Sequence, residues 1–204
     1  MKKLARIRDK LLTSPKNRLA RLYDKSSSFV GTFFHRSSTD VHKFLEIRAA
    51  FVEALLKSDK PCEAFNAVID AVVRETRASE LYCFYFDQTA DIHLEFPKVY
   101  EEEENFLFSK KNKKTHEYIT DVLLKGKPLI ISDCSKLPPE IKSVFQNSGI
   151  DSIIVIPLFV NGSLWGGVAY CSENPLGTWK PTEVALFRNL TQNLAVRLEQ
   201  QDKW

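Results

Sequence analysis

Four cysteines, Cys62, Cys83, Cys134 and Cys171, and four histidines, His35, His42, His93 and His116, are the residues of this 204-residue chain best suited to nucleophilic or metal chemistry. Zinc sites draw such ligands from closely spaced pairs. No two cysteines stand as C-x-x-C and no histidine lies beside a cysteine, so no metal is expected and each histidine reads as a surface or packing residue. Thiols scattered in this way suit a reducing, cytoplasmic setting better than a disulfide framework. The chain also lacks G-x-x-x-x-G-K-[ST], G-x-G-x-x-G and G-x-S-x-G, the common nucleotide and hydrolase signatures. A catalyst is not expected.

What remains for function is charge and apolar surface. Residues 1–25 hold nine cations, Lys2, Lys3, Arg6, Arg8, Lys10, Lys16, Arg18, Arg21 and Lys25, against Asp9 and Asp24. That segment carries +7, and a whole-chain charge of +3 leaves −4 on the other 179 residues. A basic arm attached to a mildly acidic body follows. Leu4, Ile7 and Leu11 before Pro15, then Leu19, Leu22 and Tyr23, give the arm two short amphipathic stripes. Lys2, Lys3, Arg6, Arg8, Lys10, Arg18 and Arg21 are thereby candidates for contact with an anionic membrane surface or an acidic partner. Without a recognition motif, nucleic acid is a poor fit. The arm also resembles an organelle transit peptide. No apolar run approaches the roughly 20 residues of a membrane span, and no secretory core is present.

The organisation expected is an arm over 1–25, a Ser-rich linker over 26–39 and one α+β domain over 40–201. Asp40 caps a helix whose Phe44, Ile47, Phe51 and Leu55 face inward to about Ser58. Pro61 opens a second helix, with Phe65, Val68, Ile69, Val72 and Val73 as its buried stripe until Ala78. Leu81 to Asp87 is a central strand with two apolar faces, Leu81, Cys83 and Tyr85 opposing Tyr82, Phe84 and Phe86. A second strand runs through Ile92, Leu94 and Phe96. Glu101 to Glu104 and Lys110, Lys111, Lys113 and Lys114 form a solvated loop of opposite charge blocks. A helix from His116 stops at Gly126, Pro128 to Ile131 is a short strand, and Pro138 and Pro139 introduce a helix ending at Gly149. Asn161-Gly162 joins strands 152–160 and 163–171 into an antiparallel hairpin. Pro181 and Glu183 open a last helix with Phe187, Leu190, Leu194 and Leu198 inward.

This order, with Gly126-Lys127-Pro128-Leu129-Ile130-Ile131-Ser132-Asp133, Gly149-Ile150-Asp151-Ser152, Val155-Ile156-Pro157-Leu158, Asn161-Gly162-Ser163-Leu164-Trp165-Gly166-Gly167-Val168 and Trp179-Lys180-Pro181-Thr182-Glu183, resembles the GAF domain, a small sensory module. The resemblance implies an antiparallel sheet with helices on both faces, the first and last helices on one side and a ligand pocket on the other. It places Tyr82, Phe84, Phe86, Ile153, Val155, Ala169 and Cys171 on the pocket side. Such a lining, nearly without ionic partners, suits an apolar or aromatic guest steered by the Tyr82 hydroxyl, and it equally suits a filled core. Gly166 and Gly167 allow close backbone approach or a bulky group over the sheet, with Trp165 filling the opposite side.

The same resemblance makes covalent bilin attachment unexpected, because Glu140 and Ile141 stand where phytochromes carry Cys-His. Cyclic GMP is disfavoured, and Cys134 does not reproduce the thiol cluster of the free methionine sulfoxide reductases. The expected function is a non-catalytic sensory module that binds a small apolar ligand or a protein partner and signals through dimer-forming first and last helices or through the arm. The alternative is a structural adaptor with a filled pocket, recruited by residues 1–25.

Overall fold

The computed structural model describes residues 38–87, 92–96 and 112–201. The arm over 1–25 with Lys2, Lys3, Arg6, Arg8, Lys10, Arg18 and Arg21, most of the linker over 26–39, the turn over 88–91 and the charge blocks up to residue 111 lie outside the described residues. The chain divides into two units, Met1–His42 and Lys43–Trp204, and the sheet with its packed layers belongs to the second.

Five strands, β1 (Glu80–Phe86), β2 (Ile92–Phe96), β3 (Leu129–Ile131), β4 (Ser152–Val160) and β5 (Ser163–Ser172), form one sheet in the order β2-β1-β5-β4-β3. Every neighbouring pair is antiparallel. Asn161 and Gly162 take φ of 51° and 82°, the double positive φ of a type I′ turn whose twist matches the strands it joins. Trp165 is the extra residue of a bulge where Leu158 pairs with Gly166 and Phe159 with Leu164.

The helices divide between the two faces. On one lie α1 (Ser38–Lys57), a 3-10 helix (Pro61–Ala67), α2 (Ile69–Glu75) and α5 (Pro181–Gln201), packed through Ile47, Phe51, Phe65, Val72, Phe187, Leu190 and Leu194 onto Leu81, Cys83, Ile154, Ile156, Leu158, Val168 and Tyr170. Tyr170 stacks on Phe187 with ring centroids 4.0 Å apart. On the other lie α3 (Lys113–Leu123) and α4 (Pro139–Asn147), which supply Ile119, Leu123, Ile141, Val144 and Phe145.

Three local expectations are corrected. Helix α1 already runs from Ser38, so Asp40 lies inside it and is not its cap. The helix expected from Pro61 to Ala78 breaks at Val68, whose φ of −130° and ψ of −8° leave helical space, and α2 ends at Glu75. The break resets the helical phase, so Val72 is fully buried while Val73 is 39% exposed. Strict alternation along β2 would put Ile92 and Phe96 on one face. Cys83 pairs with Phe96 but Phe84 with Leu94, so Glu95 is an extra residue and Phe96 turns to the α1 face while Ile92 stays on the α3 side.

Candidate ligand-binding site

Strand parity decides which residues share the candidate face. Tyr82 and Phe84 of β1, Ile153 and Val155 of β4, and Ala169 and Cys171 of β5 all lie in the cluster under α3 and α4, with Phe86 packed against its edge. Their immediate neighbours Leu81, Cys83, Ile154, Ile156, Val168 and Tyr170 lie in the cluster under α1 and α5. The structure therefore brings all seven sequence-named residues to one face. Leu129 and Ile131 of β3, Cys134, Phe145 of α4 and Ile150 extend that apolar surface; the alternation of β3 is the sequence signal for the first two, and the other three come from a 3-10 helix, α4 and a loop.

Among the described residues, several polar groups at and beside this face bond within the protein. The Tyr82 hydroxyl donates to the Glu80 carboxylate two residues away on the same strand face. The Ser152 hydroxyl, fully buried, lies 2.7 Å from the Ser132 carbonyl and 2.9 Å from that of Asn174, and accepts from the Leu176 backbone N–H at 3.0 Å. By strand parity Ser152 belongs with Ile154 on the other side of the sheet, and it ties together the segments that follow β3 and β5 at the start of β4. Next to it, Asp133 accepts from the Ser135 N–H and hydroxyl, and these bonds, with Lys136, hold its carboxyl below the ordinary range. Burial pushes the Cys134 thiol up to about 12, and pushes Cys171 well above its ordinary value. Both sulfurs are protonated at neutral pH, so neither supplies a thiolate for covalent capture of a guest. Glu140 is exposed and paired with Lys114, whereas Ile141 is part of the apolar cluster.

Glycine placement explains how the face is furnished. A Cβ on Gly166 would stand 2.0 Å from the Phe84 carbonyl oxygen and 2.6 Å from Tyr85 Cα, so this position serves backbone approach between β1 and β5. A Cβ on Gly167 would stand 2.8 Å from Phe84 Cζ and 3.1 Å from Val155 Cγ1. The Phe84 ring therefore occupies the room that Gly167 leaves. Trp165 packs on the opposite cluster, with its ring centroid 5.5 Å from that of Tyr85.

A family model described as GAF domain matches residues 33–198. The chain belongs to the GAF domain family. GAF domains are in general sensory, non-catalytic modules. Solved structures of low identity share the fold. The photoproduct state of GAF3 from Slr1393 of Synechocystis sp. PCC6803 superimposes with a TM-score of 0.56 at 15% identity, over 68% of this chain and 93% of that one. The dark state of JSC1_58120g3 with bound biliverdin IXa gives 0.59 at 13%, over 76% and 99%. A domain described as from a two-component sensor histidine kinase of Sinorhizobium meliloti 1021 gives 0.51 at 14%, over 69% and 91%. No protein with a curated description matches the chain.

Features outside the named set complete the picture. A hollow of about 180 Å³ between α1 and α2 has Ile47, Ala50, Val68 and Ala71 in its wall and Lys43, Arg74 and Glu75 at its mouth. Lys43 and Arg74 both bond Glu75, at 2.6 and 3.1 Å, so the charges there are already paired. Glu183 at the start of α5 accepts from Lys180 N–H, Arg77 N–H and the Arg77 guanidinium. Of the histidines, His93 bonds Asp87 at 2.8 Å and stacks on Tyr85, and His116 is buried. Among the described residues no group of three His, Cys, Asp or Glu side chains could hold a metal ion, and no described helix is long and apolar enough to cross a membrane.

Proposed function

We propose that this GAF domain is a non-catalytic sensory or regulatory module that takes a small apolar or aromatic molecule on the face of Tyr82, Phe84, Phe86, Ile153, Val155, Ala169 and Cys171. The observation that supports it is the separation of faces by a single sheet. Residues of the ligand side alternate along β1, β4 and β5 with residues that carry α1 and α5, so a guest that displaces Phe84 or Val155 acts on strands against which both helices pack. The bound biliverdin of JSC1_58120g3 shows that this fold accommodates a large conjugated guest in another protein. With buried, protonated thiols on this face, binding here is non-covalent.

The output runs through α1 and α5 to a second copy, in a cytoplasmic setting. Leu45, Ala49, Val52 and Leu56 recur at steps of four, three and four on the outer side of α1, and Leu45, Val52 and Leu56 are 53%, 37% and 72% exposed. That spacing is a coiled-coil seam. Arg48 and Glu53 flank it at positions that pair across a parallel dimer.

A thermal-shift screen of apolar and heterocyclic metabolites tests the ligand half. A guest at one hundred times its Kd adds about 2.7 kcal/mol, and at this chain length raises Tm by roughly 5 to 11 °C. Silence across the screen, with a filled face in the crystal, refutes it. The packing of Phe84 over Gly167 favours a second reading for that outcome, a structural adaptor recruited to anionic membrane or an acidic partner through residues 1–25.

A further inference from the structure

The strongest chemistry left unused lies on the face away from the ligand residues. Cys62 and Cys83 are 21 positions apart in sequence, yet their sulfurs stand 3.3 Å from each other. Cys62 sits in the first turn of the 3-10 helix directly after Pro61, whose ring fixes its own φ. Cys83 sits in β1, paired with Val168 on one side and Phe96 on the other. Both side chains are buried, at 3% and 0% exposure, so each backbone is anchored and the two sulfurs are held facing. Cys134 and Cys171 belong to the cluster across the sheet.

We propose that Cys62 and Cys83 are a redox-modification site, a dithiol that a peroxide closes into a disulfide joining the 3-10 helix to β1. The proposal is independent of the ligand reading. A disulfide needs its sulfurs about 2.05 Å apart, so closure takes about 1.3 Å, within reach of side-chain rotation. The peroxide oxygen accepts an electron pair from one sulfur, its O–O bond breaks, and that cysteine becomes a sulfenic acid as one water leaves. The second sulfur then attacks the sulfenic sulfur, the S–S bond forms and a second water departs. Two thiols lose two electrons and two protons, and the peroxide becomes two waters.

Burial governs the rate. It raises Cys83 well above its ordinary value, and the adjoining Cys62 thiol adds to this, so Cys83 is held as the unreactive thiol while the site stays shut. Reaction proceeds when the segment bounded by Ser58 and the break at Val68 opens, which makes oxidation slow. Sulfurs already held facing make the product stable once formed. The consequence reaches the output helices. Arg197 of α5 bonds the carbonyls of Leu55 and Ser58 at 3.0 and 3.2 Å, and Gln201 bonds that of Asp59. A Cys62–Cys83 bond would therefore lock the α1–α5 joint to the central strands.

The test uses the full chain, incubated natively with hydrogen peroxide, quenched with catalase, alkylated in denaturant and digested with trypsin without reduction. Free thiols fall from four to two, and the linked peptides are those over 58–74 and 78–98, which carry Cys62 and Cys83. The variant with Cys134→Ala and Cys171→Ala falls from two free thiols to none at the same rate. Four thiols persisting after a small dithiol in the same tube is oxidised, a Cys134–Cys171 link, or separate sulfinic acids at Cys62 and Cys83 would each overturn the proposal. In Cys83→Ser, Cys62 remains a thiol, and its linkage elsewhere also overturns it. Should that variant not fold, the thiol count and linkage in the parent chain decide alone.

Discussion

Removing the Glu183 carboxylate is expected to destabilise the domain more than any other single polar change among the described residues. Its side chain is 2% exposed and that of Arg77 30%. The two oxygens accept from Arg77 N–H at 3.0 Å, Arg77 Nε at 3.0 Å, the second guanidinium nitrogen at 2.6 Å and Lys180 N–H at 2.8 Å. The last is the return bond of a capping arrangement at the start of α5. Breaking a buried pair from one side costs about 3 to 5 kcal/mol, and water reaching the part-exposed guanidinium recovers some of that, leaving about 3 kcal/mol for Glu183→Ala. Urea denaturation reads this directly, and in a thermal melt it corresponds to a fall of roughly 6 to 12 °C. Glu183→Gln keeps one acceptor but turns an NH2 group toward the guanidinium, and falls between parent and Ala.

The pH dependence gives a second check. Burial pushes the Glu183 carboxyl up, but the bonds from Arg77 and Lys180 outweigh it and the net shift is below the ordinary 4.5. The depressed folded-state value means that the stabilisation is present above pH 4.5 and is lost as pH falls through the folded value. The gap between parent and Glu183→Ala therefore narrows on acidification. A gap under 1 kcal/mol at pH 7, or one that does not change down to pH 3, would refute the reasoning.

Four further outcomes are expected. Gly166→Ala, whose Cβ meets backbone atoms at 2.0 and 2.6 Å, separates β1 from β5 and yields no stable fold, whereas Gly167→Ala meets the movable Phe84 ring and costs about 1 to 3 kcal/mol; equal losses in denaturation curves would contradict this ranking. Leu56→Glu, at a 72% exposed position, leaves Tm within about 2 °C but halves the mass seen by light scattering, and a parent chain that is monomeric at every concentration removes the proposed seam. Under the adaptor reading the protein pellets with anionic vesicles, and substitution of Lys2, Lys3, Arg6, Arg8, Lys10, Arg18 and Arg21 by Ala abolishes it; equal, negligible pelleting of both sinks the membrane role. Ser152→Ala, which strips three partners from a fully buried hydroxyl, costs about 1 to 3 kcal/mol by urea titration.

The parts of the fold legible in the sequence were those with local causes. Asn161-Gly162 dictates its hairpin because both residues tolerate positive φ, and the apolar alternation in β1 separates Cys83 from Phe84. Phe187, Leu190 and Leu194 at helical spacing give the inward side of α5. What stayed hidden depends on contacts between distant segments. The bulge at Glu95 arises from pairing with β1, and the break at Val68 redirects a stripe that looks continuous in one dimension. The Cys62–Cys83 approach and the Arg77–Glu183 pair span 21 and 106 positions, and no spacing rule reports such closeness. Trp179 to Glu183 stands out as a motif, but Arg77, the partner of Glu183, carries no signal of its own.

Xenon titration of the methyl-labelled full chain, followed by NMR, measures most directly whether the Phe84 face can admit an apolar guest. The methyls of Ile153, Val155 and Ala169 should shift in a saturable manner while those of Ile154, Ile156 and Val168, one residue away on the opposite face, hold their positions. Unchanged spectra at saturating xenon, or shifts confined to the second set, would contradict a ligand site on that side of the sheet.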